Sequence, residues 1–574
     1  MRSVPISSFA MLALMVAGCA PPPEPADLIL TGGTVVTVDE DNPSAEAVAI
    51  RGAKIQAVGS HDEIAALAGP GTEVVELGGR LVVPGFVEGH GHFMSLGRAQ
   101  MILDLTTAES WDEIVEQVRA ATAEAGPDEW ILGRGWHQEK WSSPPVPAVE
   151  GNPVHAALSE ASPENPVYLI HASGHASFVN ARAMELVGID AATPDPPGGE
   201  LVRDEQGAPT GVLREAAQRL VSAAIERARS EMTPEELEIE RRRQVELAGE
   251  EALANGVTSF HDAGVGFDTI DFLRRLEAEG VLPIRLYAMV RFASNDEMAE
   301  KLPLYRSPAE ENDFLVVRSI KRQIDGALGA HGAWLLEPYA DLPTSTGLVL
   351  EPEEEIRRTA ELAIEHGYQL NTHAIGDKAN RRVLDIYAEA FAAAGAEDHR
   401  WRIEHAQHLH PDDVDRFVEL DVIASMQGVH CTSDAPWVLK RLGAERAESG
   451  AYVWRSLLDR GVVINNGTDV PVEDIDPIAS FYSTVTRKTA TGEAFYPAQV
   501  MTREEALHSY TLAGAYAAFE EDVKGSLEAG KLADVVVLSK NILTVPDDEI
   551  RDAVVDLTIV GGEVRYRRAA VSSP

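Results

Sequence analysis

The chain has 574 residues and carries 92 acidic against 49 basic side chains, a net charge of -43. A surface this acidic repels nucleic acid and anionic lipid headgroups, which leaves a small molecule as the expected partner. With 45% hydrophobic and 25% charged residues the composition is that of a globular protein, and the length exceeds one ordinary domain.

Residues 1–19 read as a signal peptide. Arg2 precedes the apolar run Phe9-Ala-Met-Leu-Ala-Leu-Met-Val-Ala-Gly18, which is too short to span a bilayer. Val16-Ala-Gly-Cys19 then resembles the end of a bacterial lipoprotein signal, in which the cysteine takes the lipid and becomes residue one. The alternative is a plain secretory signal with an incidental Cys19. The expectation is an exported chain anchored at Cys19, on the periplasmic face or cell surface, with 20–26 as a proline-rich tether. Only Cys431 remains in the mature chain, so no internal disulfide is expected.

From residue 27 the chain reads as short strands, over 28–38, 47–51 and 54–59. The same texture returns over 533–538, 554–560 and 564–567. Blocks 27–80 and 520–574 are each too small to fold well alone, so they are expected to pair as one small composite β-sandwich. Between them, 81–519 alternates strand and helix. Strands are predicted over 81–87, 257–260, 283–290, 315–321, 368–372, 401–404, 422–426 and 462–466. Helical patterns lie between them, for example over 353–366 and 378–394. Eight alternations predict an α/β chain folded as a (β/α)8 TIM-like barrel, with its chemistry at the C-terminal ends of the strands. The interval 93–255 is too long for one connection and predicts an inserted subdomain over the mouth, at about 108–228.

Those strand ends hold the informative residues. Side chains at i and i+2 of a strand share a face, so Glu88, His90 and His92 project together. Two neutral imidazoles there make a metal seat, with Glu88 behind them as support. Strand four ends near Lys321 and Asp325. His373, His405 and Asp469 fall just past strands five, six and eight. Five ligand-type residues at one end of a barrel predict a divalent metal. Nitrogen and carboxylate donors without thiolate suit zinc and leave manganese, iron or nickel open.

These motifs carry a resemblance to the amidohydrolase superfamily, most similar to the branch that holds N-substituted formamide deformylases. They are Val83-Pro-Gly-Phe-Val-Glu-Gly-His-Gly-His92, Asp325-Gly-Ala-Leu-Gly, His373-Ala-Ile-Gly-Asp, Ile403-Glu-His-Ala-Gln, Gly467-Thr-Asp-Val-Pro-Val and Gly525-Ser-Leu-Glu-Ala-Gly-Lys-Leu-Ala-Asp534. The resemblance implies His90 and His92 as ligands of a buried ion, and His373 and His405 as ligands of a more exposed one. It implies Asp469 as both ligand and proton carrier. Lys321 falls where many members carry a CO2-modified lysine bridging two ions; the alternative is a plain ammonium, paired with Asp325 or Glu404, beside a single ion. Two departures stand out. Glu88 replaces a common aspartate, and Leu328-Gly-Ala-His331 replaces a frequent Leu-Gly-Ser-Arg, removing an arginine that could hold a substrate anion.

The implied reaction is hydrolysis of a C–N bond in an amide, N-acyl or N-formyl compound by activated water, with Asp469 moving the proton. Neither a Gly-x-Ser-x-Gly elbow nor a Cys–His–Asn set argues for covalent hydrolysis. A lactone, ester or cyclic amide hydrolase of the same superfamily is the alternative, and a non-catalytic metal- or ligand-binding lipoprotein the third reading. Substrate contacts are expected from Trp136, Trp141, His171 and His175 of the insert, against the plainer reading that these pack within it. His331, His430 and Asp434 are weaker candidates on barrel-top loops. A homo-oligomer is left open.

Overall fold

The computed structural model describes residues 24–307, 314–395 and 398–569. The expected signal, Cys19 and residues 20–23 of the tether lie outside them. Among the described residues no helix is long and apolar enough to cross a membrane.

Eight parallel strands form the central sheet in chain order: Phe86–Gly91, Val257–Val265, Arg285–Val290, Leu315–Gln323, Gln369–Ala374, Arg402–His405, Ile423–Gln427 and Ile464–Gly467. The eighth strand approaches the first and nearly closes the ring. Asn465 donates to the Gly89 carbonyl (3.2 Å), Asp469 N–H to the His90 carbonyl (2.8 Å), and His92 N–H to the Val470 carbonyl (2.8 Å). Only glycine fits at 89, because a Cβ there would fall 2.4 Å from the Asn466 carbonyl oxygen. The closure therefore ties the two loops that carry His90, His92 and Asp469. Between the fourth and fifth strands runs helix Glu353–His366, with three glutamates in its first turn and Gly367 left-handed past its end, as the helix dipole and C-terminal geometry favour.

The terminal blocks do pair, as one sheet of eight strands in which Val535–Leu538 lies antiparallel to Leu81–Pro84. Leu30, Val48, Val82, Val537 and Ile559 share its apolar core. The strand predicted over 81–87 is thus two strands, one in this sheet and one in the barrel, parted at Gly85. Both faces of 81–84 are buried: Leu81 and Val83 face the barrel core while Val82 faces the terminal sheet. A run apolar on both faces carries no period-2 signal to mark the break.

Between the first and second barrel strands sits a separate six-stranded sheet, from Leu103–Asp104 to Pro209–Glu215. It has its own core of Trp111, Trp136, Trp141 and Phe178. Helix Pro234–Ala254 leads back to the barrel, opened by a reciprocal Thr233–Glu236 capping box with proline at its first position. Arg134 fastens the insert to the mouth, donating from Nε to the Pro471 carbonyl (3.0 Å) and from Nη2 to the Ala172 carbonyl (3.0 Å).

Candidate metal centre

The predicted ligand residues meet in one buried pocket at the C-terminal mouth. Asp469 Oδ1 lies 3.3 Å from His92 Nε2 and 3.7 Å from His90 Nε2. The His405 ring is centred 4.6 Å from His90 and 4.4 Å from His373. Lys321 Nζ sits 3.2 Å from His90 Nε2, 2% exposed. His405 and Asp469 both hold positive φ, at 74° and 61°, an uncommon conformation for side-chain-bearing residues that gathers at functional sites.

Two groups of donors converge closely enough to share an ion: His90, His92 and Asp469, and His405, His430 and Asp469. His430, a weaker candidate from sequence, therefore belongs to the pocket, reaching it from the first turn of helix Gly428–Leu442. Its ring lies parallel to that of His405, 6.3 Å away, and Gln407 bonds its Nδ1 at 3.0 Å. His373 lines the pocket through its contact with His405 but falls outside both groups, its Nε2 being 3.5 Å from Asp325 Oδ1.

The support behind the histidines differs from expectation. His90 Nδ1 bonds Glu404, on the sixth strand, and not Glu88. The Glu88 carboxylate instead accepts from Thr468 N–H (2.7 Å) and the Thr468 hydroxyl (2.9 Å), bracing the turn that presents Asp469. Burial pushes Glu88 up to about 8. Asp325 does not pair with Lys321 either. It accepts N–H groups of Trp334, Ile375 and Gly376 at 2.8–3.0 Å and so shapes the fifth-strand loop. Gln427 Oε1 accepts from His405 Nδ1–H (2.7 Å) and fixes that ring with Nε2 toward the pocket.

The electrostatics suit cation binding. Burial takes His92 down to about 4 and holds His90, His373 and His405 below the ordinary imidazole range, so all four are neutral with lone pairs available. Burial lowers Lys321 to about 7. Burial would raise Asp469, but the surrounding imidazoles of His92, His90 and His405 hold it well below the usual carboxylate range. Among the described residues, Asp469 Oδ1, Glu404 Oε1, His373 Nε2 and His430 Nε2 are all buried without a hydrogen-bond partner. Buried polar atoms are rarely left so. A divalent cation among neutral imidazoles and carboxylates would satisfy them, and the donor set fits one.

The insert's candidates separate. Trp136 is 1% exposed, donates Nε1–H to the Leu169 carbonyl (2.9 Å) and packs with Trp141 in the insert's own core, so neither lines the pocket. The plainer of the two readings, packing within the insert, is the one its separate core supports. His171 is bound by Ser173 (2.8 Å) and Gln138 (3.2 Å) and sits over His137, away from the donors. His331 pairs with Asp341 (3.2 Å) and packs edge-to-face against Tyr339, and Asp434 is tied to the Tyr452 hydroxyl (2.5 Å). His175 alone of the insert's four candidates is brought against a donor residue, its ring 6.3 Å from that of His373.

This architecture has relatives. Protein LONG AFTER FAR-RED 3 of Arabidopsis thaliana is 36% identical over 554 residues, covering 94% of this chain and 92% of that protein. An N-substituted formamide deformylase of Arthrobacter pascens is 30% identical over 551 residues, covering 94% and 98%. The crystal structure of an uncharacterized metal-dependent hydrolase from Pyrococcus furiosus superimposes with a TM-score of 0.70 at 29% identity, over 90% of this chain and all of the other. The sequence model of the amidohydrolase family matches residues 73–566, nearly all of the described chain, and the protein belongs to that family.

Proposed function

We propose that this protein is a metal-dependent hydrolase of C–N bonds in small amides, N-acyl or N-formyl compounds. The observation that carries the reading is the convergence of buried His90 and Asp469 with half-buried His92, and Lys321, His373, His405 and His430 around them. A divalent cation, zinc by donor type, supplies Lewis acidity and an acidified water when bound. Asp469, with Oδ1 unengaged and facing the histidines, is placed to take the attacking water's proton and return it to the leaving nitrogen. Glu88 and Thr468 hold Asp469 in that position. Carboxylation of Lys321 would turn an ammonium that repels cations into an anionic ligand, allowing a second ion beside His373 and His405. The relative named an N-substituted formamide deformylase, alike along almost its whole length, favours a formamide or similar amide over other substrates.

The test is a panel of N-formyl, N-acyl and cyclic amides, with lactones and esters, given to protein of measured metal content before and after chelation. Amide turnover that is lost with the metal and restored by zinc bears the reading out. Faster turnover of lactones or esters decides for the oxygen-ester alternative, and metal binding with no turnover decides for the binder. We also infer, from sequence alone, that the exported chain is held by lipid on Cys19; a Cys19→Ala protein that fractionates with membranes like the wild type would end that idea.

A further inference from the structure

Arg291 follows the third barrel strand and stands half-buried at the mouth. Its N–H bonds the Val265 carbonyl (2.9 Å), and its stem crosses Gly264, where a Cβ would fall 2.3 Å from Arg291 Cδ. Gly264 holds φ at 139°, so the backbone and the crossing both require glycine there. The far end of the side chain reaches the fourth strand, where Nη2 donates to Gln323 Oε1 (2.5 Å). Gln323 pairs in register with His373 on the fifth strand, and it shares a face with Lys321, two residues earlier. The anchor of the guanidinium is therefore one step, ~7 Å along the strand, from Lys321 toward the mouth.

Among the described residues this guanidinium makes no ion pair. The carboxylates that bear on it most are committed elsewhere: Glu351 pairs with Arg322 (3.7 Å), and Asp469 faces the histidines. Gln323 is neutral, and the Phe292 ring, centred 5.0 Å from Arg291 Cζ, offers only its face. In a chain of net charge -43, a half-buried cation left without a carboxylate is an exception, and it costs free energy until an anion completes it. Beside it lies a cavity of about 400 Å³, the size of a small-molecule site, lined by Met94, Phe267, Arg291, Phe292 and Lys301 among others. Lys301 is taken by Glu297 (2.8 Å), whereas Arg291 is not taken by any acid. Phe292 is 77% exposed with φ at 64°, an uncommon conformation for an aromatic residue.

We propose that Arg291 is a specificity-determining residue that holds the carboxylate of an acid-bearing amide, with Phe292 against the apolar part of the same substrate. The inference rests on the hydrolase reading above and narrows its substrate class. A guanidinium presents a planar fork that matches a carboxylate and stays charged at every working pH. Asp469 follows the eighth strand while Arg291 is held between the third and fourth, across the ring. A substrate with its scissile bond at Asp469 and its carboxylate at Arg291 would span the mouth. The carboxylate can belong to the leaving amine, as in an N-acyl amino acid, or to the acyl part, as in the monoamide of a dicarboxylic acid.

The experiment uses metal-loaded full-length protein and matched substrate pairs in which a methyl group replaces the carboxylate. N-acetylglycine against N-acetylethylamine tests the amine side, and succinanilic acid against butyranilide tests the acyl side. Wild type should prefer the acid of at least one pair by ~10- to 100-fold in kcat/KM, the range for a hydrogen-bonded charge. The pair that shows the preference says which part of the substrate carries the carboxylate. Arg291→Met should bring that ratio close to one with metal content equal to wild type, and Arg291→Lys, which keeps the charge without the fork, should retain part of it. If Arg291→Met does not fold, Arg291→Gln is read in the same way. Four results would overturn the proposal: no preference in either pair, a preference that survives loss of the guanidinium, an equal loss on both members of a pair, or a fall in metal content. If wild type hydrolyses no amide, charged or neutral, the function proposed above has failed. Arg291 is then judged by calorimetric titration with N-acetylglycine and succinate, whose affinity Arg291→Met should lower by at least ~10-fold, and unchanged affinity would end the inference.

Discussion

Glu404 binds His90 through Nδ1, joining the sixth barrel strand to the first across residues 314 positions apart. Both side chains are essentially inaccessible to solvent. The bond fixes the tautomer that leaves His90 Nε2 facing Asp469 and Lys321, so the orientation of a ligand on the first strand depends on a carboxylate from the far side of the ring. Although burial disfavours the charged carboxylate, His90, Lys321 and Arg402 keep Glu404 below its ordinary pKa.

Glu404→Gln should therefore weaken the metal without unfolding the barrel. The amide oxygen can still accept from Nδ1, but the negative charge that raises imidazole basicity is gone. Competition against a chromogenic chelator should show ~10- to 100-fold lower affinity for zinc, the usual cost of removing such a partner. Unchanged affinity would mean that Gln427, at His405, matters more to metal retention than Glu404.

Asp469→Asn should preserve the fold, because Glu88 braces Thr468 and the neighbouring backbone independently of the aspartate side chain. It should lower kcat by ~10²–10⁴, the range expected for a positioned proton carrier. Turnover near the wild-type level would shift the role to another pocket group. Asp434, on a nearby barrel-top segment, is a poor substitute because the Tyr452 hydroxyl binds its carboxylate.

Much of this was legible beforehand, and the exceptions have physical causes. Eight strand–helix alternations and the His-x-His, Thr-His, Glu-His and Thr-Asp endings are local patterns, so barrel and ligand-type residues could be read from them directly. Glu404 stood next to His405 in plain view, but which carboxylate backs which imidazole depends on contacts between strands. Glu88, two residues before His90, looked like the natural support because sequence shows only neighbours along the chain. His430 was undervalued because it is carried by a helix turn after the seventh strand, and not by a strand end. For Trp136 and Trp141 substrate contact and packing within the insert stood side by side, because composition alone does not show that the insert has its own core.

The proposed carboxylation of Lys321 is tested by the number of ions the protein holds. It lies 3.2 Å from His90 Nε2 with Glu404 and Arg291 as the nearest influences on its charge after burial. Metal analysis of protein prepared with bicarbonate should give a second equivalent of metal, and mass measurement under mild conditions should find the added CO2. Lys321→Ala should lose the second equivalent and the activity, with short carboxylic acids restoring part of both. A fully active protein with one equivalent and an unmodified lysine would establish the mononuclear alternative.

A buried ion pair attaches the terminal sheet to the barrel. Arg285, at the start of the third barrel strand, donates from Nε to Asp534 Oδ2 (2.8 Å) and from Nη2 to Oδ1 (3.2 Å), and Gly561 N–H donates to the same carboxylate (2.8 Å). The pair is buried, with side chains 2% and 5% exposed. Burial alone would raise Asp534, but Arg285 and the Gly561 N–H reverse that and hold it below the ordinary aspartate value. A carboxyl depressed in the folded state contributes stability that is complete above its unfolded pKa of ~3.9 and is lost as pH falls through the folded value. Asp534→Asn should thus destabilise the protein at neutral pH by about 3–5 kcal/mol, since it removes the carboxylate charge that faces a buried guanidinium. The gap between wild type and variant should narrow below pH ~4. Replacing both residues with apolar side chains of similar volume should restore most of the loss. Denaturant melts of the metal-free proteins at pH 7 and pH 3 measure all three, and a gap that does not depend on pH would show that Asp534 serves the fold through its backbone contacts alone.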